Sequence, residues 1–166
     1  MTHPAPDEES AMRPKTIAES AVTMCHLMLP QDANPAGSIH GGVIMKHIDT
    51  AGGVAAIRHV RGNAVTASID RLDFHIPAKI GELLILKASV NGVGRRSLEV
   101  GVRVETEDLF TGDLRHCASA YLTFVALNQE GHPTGVPPLQ PETHDERRRM
   151  REANERREAR LGGKKG

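Results

Sequence analysis

The chain contains no tryptophan, one tyrosine (Tyr121) and three phenylalanines (Phe74, Phe110 and Phe124). That is too few flat rings for a platform on which nucleic-acid bases stack. It has no excess of either charge, since 21 Lys and Arg balance 21 Asp and Glu, and this argues against a whole-surface nucleic-acid binder. Its two cysteines, Cys25 and Cys117, lie far apart. Neither a disulfide scaffold nor a cysteine zinc site is indicated, and both are expected to be buried, reduced intracellular thiols. No apolar run approaches membrane-spanning length. Residues 1–9 show no charged region followed by an apolar one, so no signal peptide is read. For 166 residues the expectation is a soluble cytoplasmic protein of one domain with tails.

Residues 1 to about 15 are rich in Pro and acidic side chains, then mixed, and read as a disordered lead-in. Val22 to Leu29, ending at Pro30, has the composition of a first strand. Gln31 to His40 carries Asp32, Asn34, Pro35, Gly37 and Ser38, which is turn chemistry throughout. A helix is predicted from about Gly41 to His59, with Gly62 as its stop. Gly52 and Gly53 inside it each cost roughly 1 kcal/mol against alanine. Close approach by another backbone would explain that, as would a simple bend.

The period then changes to that of strands. Val65, Ala67 and Ile69 alternate with polar residues, and the apolar phase slips to Leu72, Phe74 and Ile76, which predicts a bulge near Asp70 and Arg71. Further strands are predicted over Glu82 to Asn91, around Leu98 to Val104, and over Arg115 to Leu127. One strand, a helix and four strands with tight turns predict an α+β fold with a mainly antiparallel sheet against the helix. The domain is bounded at 16–140. Residues 141–166 form a charged tail in which Glu152 and Arg156 have helical spacing. It is short of large apolar residues, so a frayed solubilising tail is favoured over a contact arm for an acidic partner.

The helix concentrates the chemistry. Val43, Ile44, Met45, Ile48, Ala51, Val54, Ala55 and Ile57 are too continuous for a half-wet helix, so it should be covered on most sides. Gly41 and Gly42 would leave bare backbone N–H groups at its positive end, able to hold a carbonyl oxygen that is becoming negative. Asp49 then places a carboxylate in an apolar helix, where burial is costly unless the group is paired or used.

The segment Asn34-Pro-Ala-Gly-Ser-Ile-His-Gly-Gly-Val-Ile-Met-Lys-His-Ile-Asp49 resembles the signature of hotdog-fold acyl-CoA thioesterases, in the branch of the brain-type cytosolic hydrolases and their bacterial single-domain relatives. The likeness continues through Ala67 to Pro77, Ile80 to Glu82, Gly94 to Val100 and Ala118 to Leu127, and covers roughly residues 18 to 140. The resemblance implies a curved antiparallel sheet wrapped around a long central helix, edge-to-edge homodimers and hexamers built as trimers of dimers. It also implies hydrolysis of acyl-CoA in fatty acid metabolism, with no metal or other cofactor. By the same resemblance Asp49 is the general base or nucleophile, and Asn34 orients water or thioester from the partner subunit. Gly41 and Gly42 supply the oxyanion donors. Arg95, Arg96 and Ser97 meet the nucleotide end of CoA, with His40 and Arg71 as further substrate contacts.

Taken alone, each residue has a plainer reading. Asp49 could face solvent or cap a neighbour, Asn34 could be an Asx-turn residue, and Arg95 and Arg96 could be ordinary turn charges. His40 and His47 could share a helix face but lack a third metal ligand. No Gly-x-Ser-x-Gly elbow is present for a serine triad. The rival functions are a non-catalytic acyl-CoA-binding or regulatory module, and a hydratase, for which His40 lacks the motif context.

Overall fold

The structure is a computed structural model and describes residues 12–163. Five strands form one antiparallel sheet: β2 (Val22–Leu27), β3 (Asn63–Phe74), β4 (Leu83–Val93), β5 (Ser97–Glu107) and β6 (Leu114–Leu127), in the order β2-β4-β5-β6-β3. Helix α1 (Gly41–Val60) packs against one face of the sheet. This is the α+β hotdog arrangement implied by the resemblance. Two short strands, β1 (Lys15–Thr16) and β7 (Leu139–Gln140), pair in parallel and tie together the two ends of the domain. Strands of two residues each leave no readable period in the sequence. Of the expected lead-in, residues 1–11 lie outside the described residues, and Lys15 belongs to β1.

The core lies between α1 and the sheet, where Ile44, Ile48 and Ala55 meet Leu86, Val100 and Phe124. A Cβ on Gly52 would stand 3.2 Å from Phe124 Cζ. The glycine thus admits an aromatic ring, rather than the expected backbone. The helix runs to Val60, and its stop is Arg61 rather than the expected Gly62; Arg61 has a left-handed φ of 52° and its N–H donates to Ile57 O at 2.8 Å. β3 carries two register shifts against β6, between Thr66 and Ser68 and between Ile69 and Arg71, so it bends more than one bulge would allow.

Two sequence expectations are corrected. α1 is not covered on most sides: within the chain its outer side stays open, with Met45, Asp49 and Ile57 exposed. The sheet covers only the stripe through Ile44, Ile48, Ala51 and Ala55, because five strands reach no further round the helix. Cys25 is exposed rather than buried, because β2 is an edge strand and position 25 takes its outward phase, whereas Cys117 is buried.

The charged tail is a docked helix, α2 (His144–Gly162). Thr143 caps it, with Glu146 returning the bond to the cap backbone. Apolar burial does not hold it; ion pairs to the sheet's outer face do. Arg156 forks onto Glu99 at 2.7 and 3.0 Å while lying 3.9 Å above the Tyr121 ring. Arg160 reaches Asp70 at 2.9 Å. Burial alone would raise the Asp70 carboxyl, but hydrogen bonds from Ser68 and Thr123, with the Arg160 charge, outweigh it and hold it below its ordinary value. Ala153 is buried against Gly92, where a Cβ would come within 3.0 Å of its own. Charge pairing across chain segments leaves no hydrophobic period, which is why the sequence reads as a frayed tail.

Glu99 accepts from both Arg156 and Asn91, so Glu99→Ala strands the half-buried Arg156 guanidinium and the buried Asn91 amide. The expected loss is about 1–3 kcal/mol by denaturant titration; an unchanged midpoint would show that α2 docks without this pair. A second expectation concerns His59, fully buried, whose Nε2 stands 2.9 Å from Pro137 O while Nδ1 has no partner among the described residues. Burial pushes this imidazole below its ordinary 6.5. The unfolded chain therefore binds the proton first as pH falls, and stability drops below about pH 6.5. Thermal unfolding between about pH 7 and 5 should show that decline, and His59→Gln should flatten it.

Candidate active site

The 34–40 segment is a tight, self-bonded loop. Asn34 Oδ1 accepts from Ala36 N at 2.9 Å and from Ser38 N at 3.3 Å, and its Nδ2 donates to Ser38 Oγ at 3.1 Å. Asn34 thus does form an Asx turn, and one of its two amide hydrogens stays uncommitted within the described residues. The loop is pinned by His40 N donating to Asp32 O at 2.8 Å and Ile39 N to Ala78 O at 2.9 Å.

It delivers the chain into α1 with His40 as the N-cap, whose Nδ1 accepts from Gly42 N at 3.2 Å. Only part of the expected donor pair is therefore bare. The Gly42 N–H is taken by the His40 ring, because an N-cap side chain closes on the second helical amide. The Gly41 N–H has no acceptor among the described residues. Beside it opens an apolar cavity of about 330 Å³, lined by Ile39, Gly41, Ile44, Phe74, Ile76 and Ala78.

Asp49 stands on the uncovered side of α1, exposed, so it is not the buried carboxylate that the helix's apolar run suggests. It is held all the same: Thr66 of β3 donates its hydroxyl to Asp49 Oδ1 at 2.6 Å, and Oδ2 has no partner within the described residues. Thr66 is the residue that sequence reasoning passes over. In the sequence it is only the polar phase of an alternating strand, and the contact depends on how α1 lies over β3.

Gly41 and Asp49 are eight residues apart on one helix, about 12 Å along its axis. A thioester carbonyl needs its donor and its acid each within about 3 Å. One chain cannot supply both to one substrate. Nor does any hydrogen bond join Asn34 to Asp49 within the described residues.

The remaining residues scatter. Arg95 and Arg96 are exposed in the β4–β5 turn, beside half-buried Ser97, and make no ion pair among the described residues. Arg71, exposed on β3, pairs with Asp73 at 2.5 Å. His47 stacks on His26 with ring centroids 3.9 Å apart, and burial followed by the His26 charge lowers its pKa. Among the described residues no three metal-ligating side chains cluster, and no helix is long and apolar enough to cross a membrane. A larger groove of about 680 Å³ lies on the sheet's other face beneath α2, lined by Lys87, Asn91, Arg103, Tyr121 and Arg149. None of the residues above lines it.

The Thioesterase superfamily profile matches residues 36–110. An uncharacterized acyl-CoA thioester hydrolase of Bacillus subtilis, YkhA, is 40% identical over 128 residues, covering 77% of this chain and 74% of its own. The chain belongs to the hotdog-fold acyl-CoA thioesterase family. The cytosolic acyl coenzyme A thioester hydrolase of Rattus norvegicus is 37% identical over 145 residues, 86% of this thioesterase-family chain but only 38% of the rat protein. The chain thus spans well under half the length of the mammalian relatives it matches. Among solved structures, the acyl-CoA hydrolase of Staphylococcus aureus in complex with butyryl coenzyme A and coenzyme A superposes with a TM-score of 0.84 at 36% identity, covering 90% and 92% of the two chains. An apo-hexameric acyl-CoA thioesterase superposes at 0.88, also at 36% identity, with 91% and 97% covered. The Staphylococcus aureus enzyme has also been solved as alanine variants of one asparagine, one aspartate and one threonine.

Proposed function

We propose that this protein is an acyl-CoA thioesterase that hydrolyses acyl-CoA to a free fatty acid and CoA at a site shared between two copies of the chain. The observation that carries the reading is the Asp49 carboxylate held by Thr66 at 2.6 Å with its second oxygen open. The positions altered in the Staphylococcus aureus variants are 15 and 17 residues apart in order. Asn34, Asp49 and Thr66 have the same intervals, which supports giving them joint roles.

In this reading Thr66 fixes the Asp49 carboxylate so that Oδ2 takes a proton from water, or attacks the thioester carbonyl directly. The Gly41 N–H of the other copy, at the positive end of its helix, stabilises the oxyanion. Asn34 of that copy, with its uncommitted amide hydrogen, orients the water or the thioester. The second copy joins through β3, a twelve-residue edge strand whose Val65, Ile69 and Phe74 are exposed. Such an edge invites pairing with its own kind, and the same contact covers the open side of α1. The apolar cavity at Gly41 receives the start of the acyl chain. Dimers assemble further, as in the hexameric relative. Arg95, Arg96 and Ser97 hold the nucleotide end of CoA, Arg71 and His40 flank the substrate, and no metal or other cofactor takes part.

Asp49→Asn should reduce thiol release from acyl-CoA by at least about 10²-fold while CoA still protects against thermal unfolding; a near wild-type rate would remove Asp49 from the mechanism. Saturable acyl-CoA binding by the wild-type protein with no thiol released would favour the non-catalytic module instead. Arg95→Ala with Arg96→Ala should raise KM more than it lowers kcat, since nucleotide contacts bind ground and transition states alike. An unmoved KM would take these arginines out of the site.

A further inference from the structure

Arg156 and Arg160 of α2 each have a carboxylate, Glu99 and Asp70. Arg157 has none. Among the described residues it makes no ion pair and no hydrogen bond, although it is half-buried. Its guanidinium lies flat over the β4–β5 turn, so close that a Cβ on Gly94 would be 2.7 Å from Arg157 Cζ and 2.8 Å from Nε. The next two residues of that turn are Arg95 and Arg96, exposed and without carboxylate partners among the described residues.

Three guanidinium groups around one turn repel one another, and a half-buried one with five unused donors is costly to keep. A polyanion reverses both terms, because the planar fork matches phosphate oxygens two at a time. We propose that Arg157 completes a phosphate-binding cluster with Arg95 and Arg96, taking the phosphates of the nucleotide end of acyl-CoA. This rests on the thioesterase reading above. It gives α2, which lies outside the family-matched stretch of residues 36–110, a role in substrate binding as well as packing. It also accounts for glycine at position 94, since any side chain there would push the guanidinium off the turn.

The test compares acyl-CoA, its 3′-dephospho form and acyl-pantetheine, which lacks every phosphate, as substrates of the full chain. Arg157→Ala should raise KM for acyl-CoA roughly tenfold, leave KM for acyl-pantetheine where it is in the wild type, and be partly rescued by Arg157→Lys. Gly94→Ala should act in the same direction with the charge retained. Added salt should narrow the gap between wild type and Arg157→Ala on acyl-CoA. If the Arg157→Ala effect persists on the dephospho form, the pyrophosphate is its partner; if it vanishes, the 3′-phosphate is. Equal KM changes on acyl-CoA and acyl-pantetheine, or none on either in both variants, would overturn the proposal and leave Arg157 a packing residue. Should the wild type release no thiol from any substrate, the thioesterase reading fails by itself. The cluster is then judged by CoA affinity: a weaker affinity in Arg157→Ala upholds it, and an unchanged one refutes it.

Discussion

The hydroxyl of Thr66 holding the carboxylate of Asp49 at 2.6 Å joins the central helix to the edge strand β3 at a point that faces solvent. Two exposed polar groups gain little from such a bond in stability, since water competes for both. Its consequence is orientation: one carboxylate oxygen is fixed and the other left open. The geometry of α1 sets the second constraint. An amide at its first turn and an acid at its third are about 12 Å apart, so a small reacting group can meet both only when two helices approach from different chains. The uncovered side of α1 and the exposed apolar residues of β3 are the surfaces that the proposed pairing would cover.

The opposite face of the sheet is organised by charge. Asn91, Glu99, Arg156 and the Tyr121 ring form one connected group, and Ser68, Asp70, Thr123 and Arg160 form another. Each fastens α2 with carboxylates that are themselves largely shielded, so the ion pairs are worth more than exposed ones. Between them, Arg157 is left over the turn that also carries Arg95 and Arg96. In the proposed reading, acid–base chemistry on the helix side and phosphate recognition on the turn side would occupy separate parts of the fold. Substitutions at one should alter rate and at the other affinity.

Much of this is legible in the sequence, and unevenly so. The alternation in β5 and the turn residues of 31–40 identify themselves, because period and φ preference are local properties. The segment from Asn34 to Asp49 stands out through its resemblance to the thioesterase signature. Thr66 does not stand out, because its significance lies in a contact 17 residues away in sequence. The exposure of Asp49 is hidden because an apolar run along a helix does not say whether the cover comes from the same chain. The docking of α2 is equally hidden, since its charged partners, Glu99 and Asp70, sit on two different strands, which leaves no period. Residue type alone credits Gly42 with a free N–H, whereas the cap geometry gives that N–H to the His40 ring.

Subunit complementation tests the central claim most directly. Asp49→Asn and Asn34→Ala chains, each expected to be inactive as a homo-oligomer, are co-expressed with different tags and the mixed species isolated. A site shared between copies gives mixed dimers in which one of two sites has both native residues, so thiol release from acyl-CoA should return to a substantial fraction of wild type. Mixed species as inactive as either parent would mean that Asn34 and Asp49 act within one chain or not together, and would contradict a site shared between copies.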